Sequence, residues 1–215
     1  MEPPKYEEKR IGNQTECALL DFVNRSLAKL GRSERSYEQI RSNLKILKMF
    51  PFNSDTKKMT VAVETEFEKV VRIYTKGAPE NIIDSCNDMV ESDHFEDLKA
   101  QPAKEKLKSS VLKQMSSHSL RTIAIVYKDM QYQDFKRILE EFENEIDNED
   151  DEEESKNQNE RKSNQTMAML DTDLTLIAIF GIKDPLRPEI KDAVKKCHQA
   201  HVNVRMVTGD NIDTA

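Results

Sequence analysis

The sequence lacks long apolar runs and has few cysteines. Its longest mainly apolar stretch, Leu174 to Ile182, is far short of the roughly 18 to 20 residues that cross a bilayer, and no apolar signal region lies near Met1. Cys17, Cys86 and Cys197 are odd in number, widely spaced and without a Cys-x-x-Cys pair, which argues against a disulfide framework and a thiolate zinc site. We therefore expect this chain itself to be soluble and to come from a reducing compartment.

An excess of basic charge is also absent. The net charge is -7, but residues 140–162 hold twelve acidic against three basic residues, a local balance of -9 that leaves about +2 for the rest. This balance does not indicate bulk nucleic-acid binding. The acidic segment lacks the Asp-x-Asp-x-Asp-Gly spacing of a calcium loop, and His198 and His201 near Cys197 have no second cluster to complete a metal site. No protein metal ligands are predicted.

The spacing of apolar side chains predicts an alternation of helices and strands. Helices are predicted from Asn13 to Leu30, from Pro79 through Val90, through Leu107 and Met115, from Phe135 to Phe142, and through Ile190 and Cys197. Strands are predicted at Leu44 to Phe50, Met59 to Glu64, Phe67 to Thr75, Leu120 to Tyr127, Leu174 to Ile182 and Val202 to Val207.

This order predicts two architectural units and an insertion. Residues 1–142 are predicted to form an α+β domain with a largely antiparallel sheet flanked by helices. Residues 143–168 are acidic and almost without apolar side chains, which is typical of a disordered insertion. Residues 169–215 have the pattern of an incomplete α/β, Rossmann-like unit of a parallel sheet. Since one crossover with two strands cannot cover both faces of such a sheet, we expect a chain cut inside its second domain.

Two short motifs could hold phosphate. Thr208-Gly209-Asp210-Asn211 follows a predicted strand, where free backbone N–H groups of a helix start could bind an anion and Gly209 would allow close approach. Lys76-Gly77-Ala78-Pro79-Glu80 places an ammonium group, a permissive glycine and a helix-starting proline at another strand end. Taken alone, the two motifs are more simply explained by an ordinary aspartate-capped turn and a solvated edge lysine.

Three further groups are ambiguous in the same way. Glu16 either completes a capping pair with Asn13 or accepts a hydrogen bond from an exocyclic amine. Phe52 is either a core aromatic or an exposed stacking platform. Asp184-Pro185-Leu186-Arg187-Pro188-Glu189 either fixes a carboxylate and a guanidinium for phosphate chemistry or is a proline-started helix with a loop ion pair.

The order of the motifs is more specific than any one of them. They run Gly12-Asn13-Gln14-Thr15-Glu16-Cys17-Ala18-Leu19-Leu20, Phe52-Asn53-Ser54, Lys76-Gly77-Ala78-Pro79-Glu80, Leu120-Arg121-Thr122, Asp184-Pro185-Leu186-Arg187-Pro188-Glu189 and Val204-Arg205-Met206-Val207-Thr208-Gly209-Asp210-Asn211. This series resembles the cytoplasmic nucleotide-binding region of P-type cation-transporting ATPases across nearly the whole chain. The opening motif and Phe-Asn-Ser resemble the plasma-membrane calcium pumps more than the reticulum type.

The resemblance implies an ATP site, with Mg²⁺ as the accompanying ion. The pocket residues would be Glu16, Phe52, Lys57, Lys76, Gly77 and Arg121, with Phe52 stacking on adenine, Glu16 accepting from its amino group, Lys76 deep in the pocket and Arg121 at the polyphosphate. Asp184, Arg187, Thr208, Gly209 and Asp210 would handle the terminal phosphate from a haloacid-dehalogenase-like phosphorylation domain. Ser54 replaces an arginine of the reticulum type, and Lys57 or Lys58 is predicted to compensate.

The resemblance further implies that this chain is part of a calcium pump at the cytoplasmic face of a membrane. Its partners would be ATP and the actuator, remaining phosphorylation and transmembrane domains of the same pump. The phosphorylated Asp-Lys-Thr-Gly-Thr string is absent here, so the chain should bind ATP without turning it over. Two alternatives stay open: a truncated, non-catalytic nucleotide-binding or interaction protein, and a haloacid-dehalogenase-like phosphatase.

Overall fold

A computed structural model describes residues 13–31, 37–67, 69–91, 94–146, 169–183 and 186–208. The chain divides into two compact units, one up to Lys45 and one from Ile46. Within the described ranges, none of the helices combines the length and the apolar character that spanning a bilayer requires.

The first unit contains helices α1 (Gln14–Lys29) and α2 (Tyr37–Ser42). Asn13 is the N-cap of α1, as predicted, and its side-chain oxygen accepts a hydrogen bond from the Thr15 N–H at 3.0 Å. The helix stops where Gly31 takes a φ of +66°, a conformation that glycine adopts without steric cost.

The second unit is built on a sheet that, in the described part of the chain, has seven strands. They are β1 (Ile46–Asn53), β2 (Lys58–Glu64), β3 (Val70–Gly77), β4 (Cys86–Glu91), β5 (His94–Asp97), β6 (Leu120–Gln131) and β7 (Leu174–Lys183). Their spatial order is β1-β2-β3-β6-β7-β4-β5. Every neighbouring pair is antiparallel except β4 with β7, which is parallel. The predicted α+β domain with a largely antiparallel sheet is confirmed.

Helices cover one face of this sheet. They are α3 (Pro79–Ile82), continued by a 3-10 turn (Ile83–Ser85), α4 (Gln101–Leu107), a π-helical turn (Lys108–Leu112), α5 (Lys113–Ser117) and α6 (Tyr132–Ile146). A further helix, α7 (Ile190–Gln199), follows β7 and contains no buried residue. Phe135 and Ile138 of α6 pack with Val71 and Ile73 of β3 in one buried cluster. A second cluster holds Ile82, Cys86, Leu98, Ala124, Val126, Leu174 and Leu176. These clusters fix the ends of the strands relative to one another, because their apolar surface leaves water only in the assembled sheet.

The opposite face of β3 and β6 is only half-buried and carries aromatic and charged groups. Tyr74 lies beside Tyr127 with ring centroids 6.3 Å apart. Arg72 donates to both carboxylate oxygens of Asp129 at 2.7 Å, and its guanidinium lies 4.7 Å from the centre of the Tyr127 ring. The hydrogen bonds to Asp129 raise the pKa of Arg72. These contacts hold β3 and β6 in register near the N-terminal end of β3.

The turn at residues 169–173 enters β7 and is tied to three other strands. Lys128 of β6 donates to the carbonyl oxygens of Met169 at 2.9 Å and Thr172 at 3.0 Å. Burial lowers the pKa of Lys128. Asp171 forms an ion pair with Lys58 of β2 at 2.9 Å, and Asn87 of β4 donates to Asp173. The turn therefore fixes where the chain rejoins the sheet after residue 168.

Three predicted elements differ from the structure. The apolar stripe predicted to continue the helix after Pro79 becomes β4 from Cys86, because pairing with β5 and β7 satisfies its backbone groups there. Leu174 to Ile182, predicted to begin a separate parallel sheet, instead pairs antiparallel with β6 in the first sheet. The strand predicted at Val202 to Val207 is wrong: residues 202–208 belong to no helix or strand.

The other predicted helices and strands are confirmed to within a few residues. The helix predicted through Leu107 and Met115 contains the π-helical turn. α6 continues to Ile146, into the start of the predicted acidic insertion. Residues 147–168, which hold the rest of that predicted insertion, lie outside the described residues.

Cys86 provides a test of this core. Its side chain is fully buried, its thiol donates to the Ile82 carbonyl oxygen, and desolvation raises its pKa to about 12. Cys17 and Cys197 are half-buried. Because the thiolate is the reactive form, we expect iodoacetamide at pH 8 to alkylate Cys17 and Cys197 in the native protein and Cys86 only after unfolding. Peptide mass mapping of the labelled protein measures this, and rapid labelling of Cys86 would contradict the packing of β4.

Candidate functional site

Four of the residues predicted to bind a nucleotide lie along one end of the sheet. β1 ends at Asn53, which pairs with Lys58 at the start of β2, and Lys58 also pairs with Gly77 at the end of β3. β6 begins at Leu120, and its Ala124 pairs with Gly77. The four side chains at this end, on or between the neighbouring strands β1, β2, β3 and β6, are those of Phe52, Lys57, Lys76 and Arg121.

The turn at residues 54–57, between β1 and β2, has a closely specified backbone. The Asn53 side-chain oxygen accepts from the N–H groups of Asp55 at 2.7 Å and Thr56 at 3.3 Å. The Lys57 N–H donates to the Asn53 carbonyl oxygen at 2.8 Å, and Lys57 has a φ of +53°. A lysine with positive φ is uncommon, so surrounding contacts must hold it in place.

Those contacts come from the end of β3 and the start of α3. The Ala78 N–H donates to the Lys57 carbonyl oxygen at 3.2 Å, and the Asn81 side-chain amide donates to the Thr56 carbonyl oxygen at 3.1 Å. A β carbon built at Gly77 would overlap the Lys57 carbonyl oxygen and lie 3.1 Å from the Lys58 Cα. Gly77 is therefore required because the backbone of the turn passes where a side chain would be.

Lys76 and Arg121 lie on the same face of the sheet. Lys76 pairs with Ile125 of β6, so the two residues share a face, and Arg121 follows on that face because residues of a strand alternate sides. Arg121 is four positions before Ile125, about 13 Å along the strand. Lys76 is half-buried and Arg121 is exposed. Two cations at this spacing can contact different parts of one elongated ligand.

Phe52 is the exposed aromatic of this end, with 63% of its surface accessible. The alternative interpretation of Phe52 as a core residue is wrong, since the buried aromatic of β1 is Phe50. Exposure leaves the ring face free to stack on a planar ligand. Glu16 is exposed in the first turn of α1, in the unit that ends at Lys45.

The residues that hold the turn at residues 54–57 were not predicted from the sequence. Lys58 was predicted as one of two candidates to replace an arginine at Ser54, but its Nζ atom is 2.9 Å from Asp171 Oδ2. Of the two lysines, only Lys57 is exposed. Asn81 lies in α3, and no local pattern distinguishes it from a surface residue of a short helix. Asp171 is 113 residues from Lys58, so only the folded chain reveals their pairing.

The second group of predicted residues follows β7. Arg187 is exposed and its carbonyl oxygen accepts from the Ile190 N–H at 3.1 Å, as expected before a helix. Thr208 is exposed at the end of the described chain. Asp184, Gly209 and Asp210 lie outside the described residues. The roles of this group in phosphate handling therefore stay predictions.

The sheet end combines three cationic side chains with an exposed aromatic ring. Such a set can bind a ligand that has a flat apolar part and a negatively charged part, by stacking on the ring and by charge-assisted hydrogen bonds. Among the described side chains, no three His, Cys, Asp or Glu come together where they could hold a metal ion. A nucleotide is one ligand of this kind, and a divalent ion could enter with its phosphates.

A comparison with protein families identifies most of the chain. The family model of the P-type ATPase cytoplasmic domain N matches residues 2–189. This range includes the whole seven-stranded sheet and every predicted pocket residue of the sheet end.

Several curated relatives match over almost the full chain. The plasma membrane calcium-transporting ATPase 1 of Gallus gallus is 34% identical over 219 residues, and plasma membrane calcium-transporting ATPase 4 of Homo sapiens is 35% identical over 223 residues. Plasma membrane calcium-transporting ATPase 3 of Homo sapiens is 31% identical over 221 residues. Each alignment covers 99% of this chain and 15% of the relative, so the chain spans under a sixth of their length.

The close approach at Gly77 yields a stability prediction. We expect Gly77→Ala to lower the free energy of unfolding by about 1–3 kcal/mol, because the new methyl group displaces the Lys57 backbone. Gly181→Ala is the matched control, since its methyl group would meet the side chains of Leu120 and Met115, which can move. Urea unfolding followed by circular dichroism measures both. An equal loss of unfolding free energy in the two variants would show that the backbone of the turn at residues 54–57 moves as easily as a side chain does.

Proposed function

Because this chain belongs to the P-type ATPases, as their cytoplasmic domain N, we propose that it binds ATP at the Gly77 end of the sheet. In this proposal it presents the γ-phosphate to an aspartate that lies outside the chain. The observation that carries the proposal is the convergence of Phe52, Lys57, Lys76 and Arg121 at one end of four adjacent strands. Lys76 and Arg121 are distant in sequence from Phe52 and Lys57, and the pairing of the strands brings all four to one end.

Each side chain then has a distinct task. The exposed Phe52 ring stacks on adenine, since stacking requires only the flat face of a base. Lys76 lies beside the base and sugar. It is half-buried and adjacent to Gly77, which leaves room for the backbone of the turn at residues 54–57. Lys57 and Arg121 neutralise phosphate charge, and the planar guanidinium of Arg121 matches two phosphate oxygens at once. The chain thereby contributes binding and orientation, which lower the barrier to phosphoryl transfer by positioning.

Several parts of the proposal rest on the resemblance rather than on the sheet end. Glu16 would accept a hydrogen bond from the adenine amino group. Asp184, Arg187, Thr208, Gly209 and Asp210 would face the terminal phosphate within a phosphorylation-domain segment. Mg²⁺ would neutralise charge on the phosphates and would enter with the nucleotide.

The activity of the whole protein is a further proposal, drawn from the names of the relatives. These are plasma membrane calcium-transporting ATPases, and they are far longer than this chain. We propose that the chain works at the cytoplasmic face of a membrane, coupled through other domains of the same pump to calcium transport. The alternatives of a non-catalytic binding protein and a soluble phosphatase are not favoured. The relatives align with 99% of this chain, and all of them are named calcium-transporting ATPases.

The first test is direct binding of magnesium-free ATP to the chain. We expect weak, saturable binding in the sub-millimolar to millimolar range, with Phe52→Ala weakening it by about 1–3 kcal/mol through lost stacking. Phe67→Ala is the matched control, because Phe67 is 74% exposed in the loop that joins β2 to β3 at the other end of the sheet. Isothermal titration calorimetry measures both. Equal affinities of the two variants for ATP would show that Phe52 does not stack on adenine.

The second test separates phosphate from base recognition. We expect Arg121→Gln to weaken ATP binding by about 1.5–3 kcal/mol, the range of a hydrogen bond to a charged group, and to change AMP binding much less. Arg137→Gln, on the exposed side of α6, is the control and should leave both affinities unchanged. Titrations with ATP and AMP at fixed ionic strength give the difference. A loss of the same size for both nucleotides would place Arg121 away from the polyphosphate.

A further inference from the structure

The ion pair between Lys58 and Asp171 is unusual among those described because both side chains are largely buried. Their exposed fractions are 16% and 15%, and the Nζ–Oδ2 distance is 2.9 Å. The other carboxylate oxygen of Asp171 is buried without a hydrogen-bond partner. The carboxylate therefore depends on Lys58, because a buried charge without its counterion is strongly disfavoured.

Lys58 directly follows Lys57 and pairs with Gly77 across β2 and β3. A side chain held at Lys58 therefore fixes the backbone that leads out of the turn at residues 54–57. The Lys57 carbonyl oxygen, which accepts from the Ala78 N–H, belongs to the peptide group that joins Lys57 to Lys58. A shift of the Lys58 side chain would be transmitted to this hydrogen bond and to the strained Lys57 residue.

Asp171 is itself held rigidly. Leu170 is buried in the cluster with Phe135 and Ile73, and Lys128 binds the carbonyl oxygens of Met169 and Thr172 on either side of it. The carboxylate is thus fixed on the turn at residues 169–173, which is anchored to the sheet independently of Lys58. A rigid anchor is what positioning another residue requires.

We propose that Asp171 is a positioning residue for nucleotide binding, acting through Lys58 to hold Lys57 where it meets phosphate. The importance of Lys57 for phosphate binding rests on the proposed function. The effect of Asp171 on the backbone of the turn does not. A segment far along the sequence thereby sets the geometry of the binding turn. Lys58 itself, paired with Asp171, serves as the connection.

The experiment compares two ion pairs of the same sheet. Asp171→Asn removes the charge that Lys58 requires, and Lys58→Met removes the other partner. Asp129→Asn is the matched control, since it breaks the Arg72 pair between β3 and β6, towards the other end of the strands. For each variant, calorimetry gives the Kd for ATP, hydrogen exchange by NMR gives the protection of the Ala78 amide, and urea unfolding gives the global stability.

We expect Asp171→Asn to raise the Kd for ATP about fivefold, which corresponds to about 1 kcal/mol. Lys58→Met should do the same, and the double variant should bind no more than about twofold more weakly than either single variant, because the two residues act through one contact. The Ala78 amide should exchange about tenfold faster in the Asp171 variant than global stability explains, as local opening of the turn predicts. Asp129→Asn should change the Kd by less than about twofold.

The outcomes separate this inference from the proposed function. If the unmodified chain binds no ATP, the proposed function fails, while faster exchange of the Ala78 amide still supports the positioning of the turn. If Asp171→Asn binds ATP as the unmodified chain does and the Ala78 amide keeps its protection, the positioning role is overturned. Should Asp171→Asn not fold, Asp171→Glu displaces the carboxylate by one methylene with its charge kept. An unchanged Kd and unchanged Ala78 exchange in that variant would overturn the proposal equally.

Discussion

The backbone of the turn at residues 54–57 passes so close to Gly77 that no side chain fits between them. This approach brings the Lys57 carbonyl oxygen to the Ala78 N–H and the Thr56 carbonyl oxygen to the Asn81 amide. Through these contacts the ends of β1, β2 and β3 and the start of α3 become one unit. The cationic and aromatic groups of the sheet end depend on it, since each stands within a few residues of the turn or on a strand paired with Gly77.

The sequence predicted the local elements and the identity of the candidate residues, and it did so best where a periodic pattern had a nearby cap. α1 with its Asn13 cap and the β2–β3 hairpin are examples. It failed where partners distant in sequence decide the conformation. Residues from Cys86 have apolar side chains at spacings that suit a helix, yet the strands β5 and β7 are available to pair with them. Propensity is a weak guide once such pairing competes with it.

The candidate site shows the same division. Lys76 and Gly77 were identified from strand-end chemistry and Lys57 from the resemblance, and the fold brings them together. The supporting residues were not identified, because Asn81 and Asp171 carry no local signature of their role. Support of this kind is a property of spatial neighbours. A single sequence contains the residues that such support requires, for example Gly77, but it does not show which neighbours require them.

The position of β7 in the sheet has a consequence for how the chain is completed. Among the described strands, β7 lies between β6 and β4, so the backbone of the β4–β5 hairpin is joined to the rest of the sheet by a strand that follows residue 168. During synthesis, this hairpin must wait for β7 before its backbone groups find partners on that side. Closure of the sheet thus depends on the turn at residues 169–173, whose contacts with β2, β4 and β6 bring β7 between two strands that precede it in the chain.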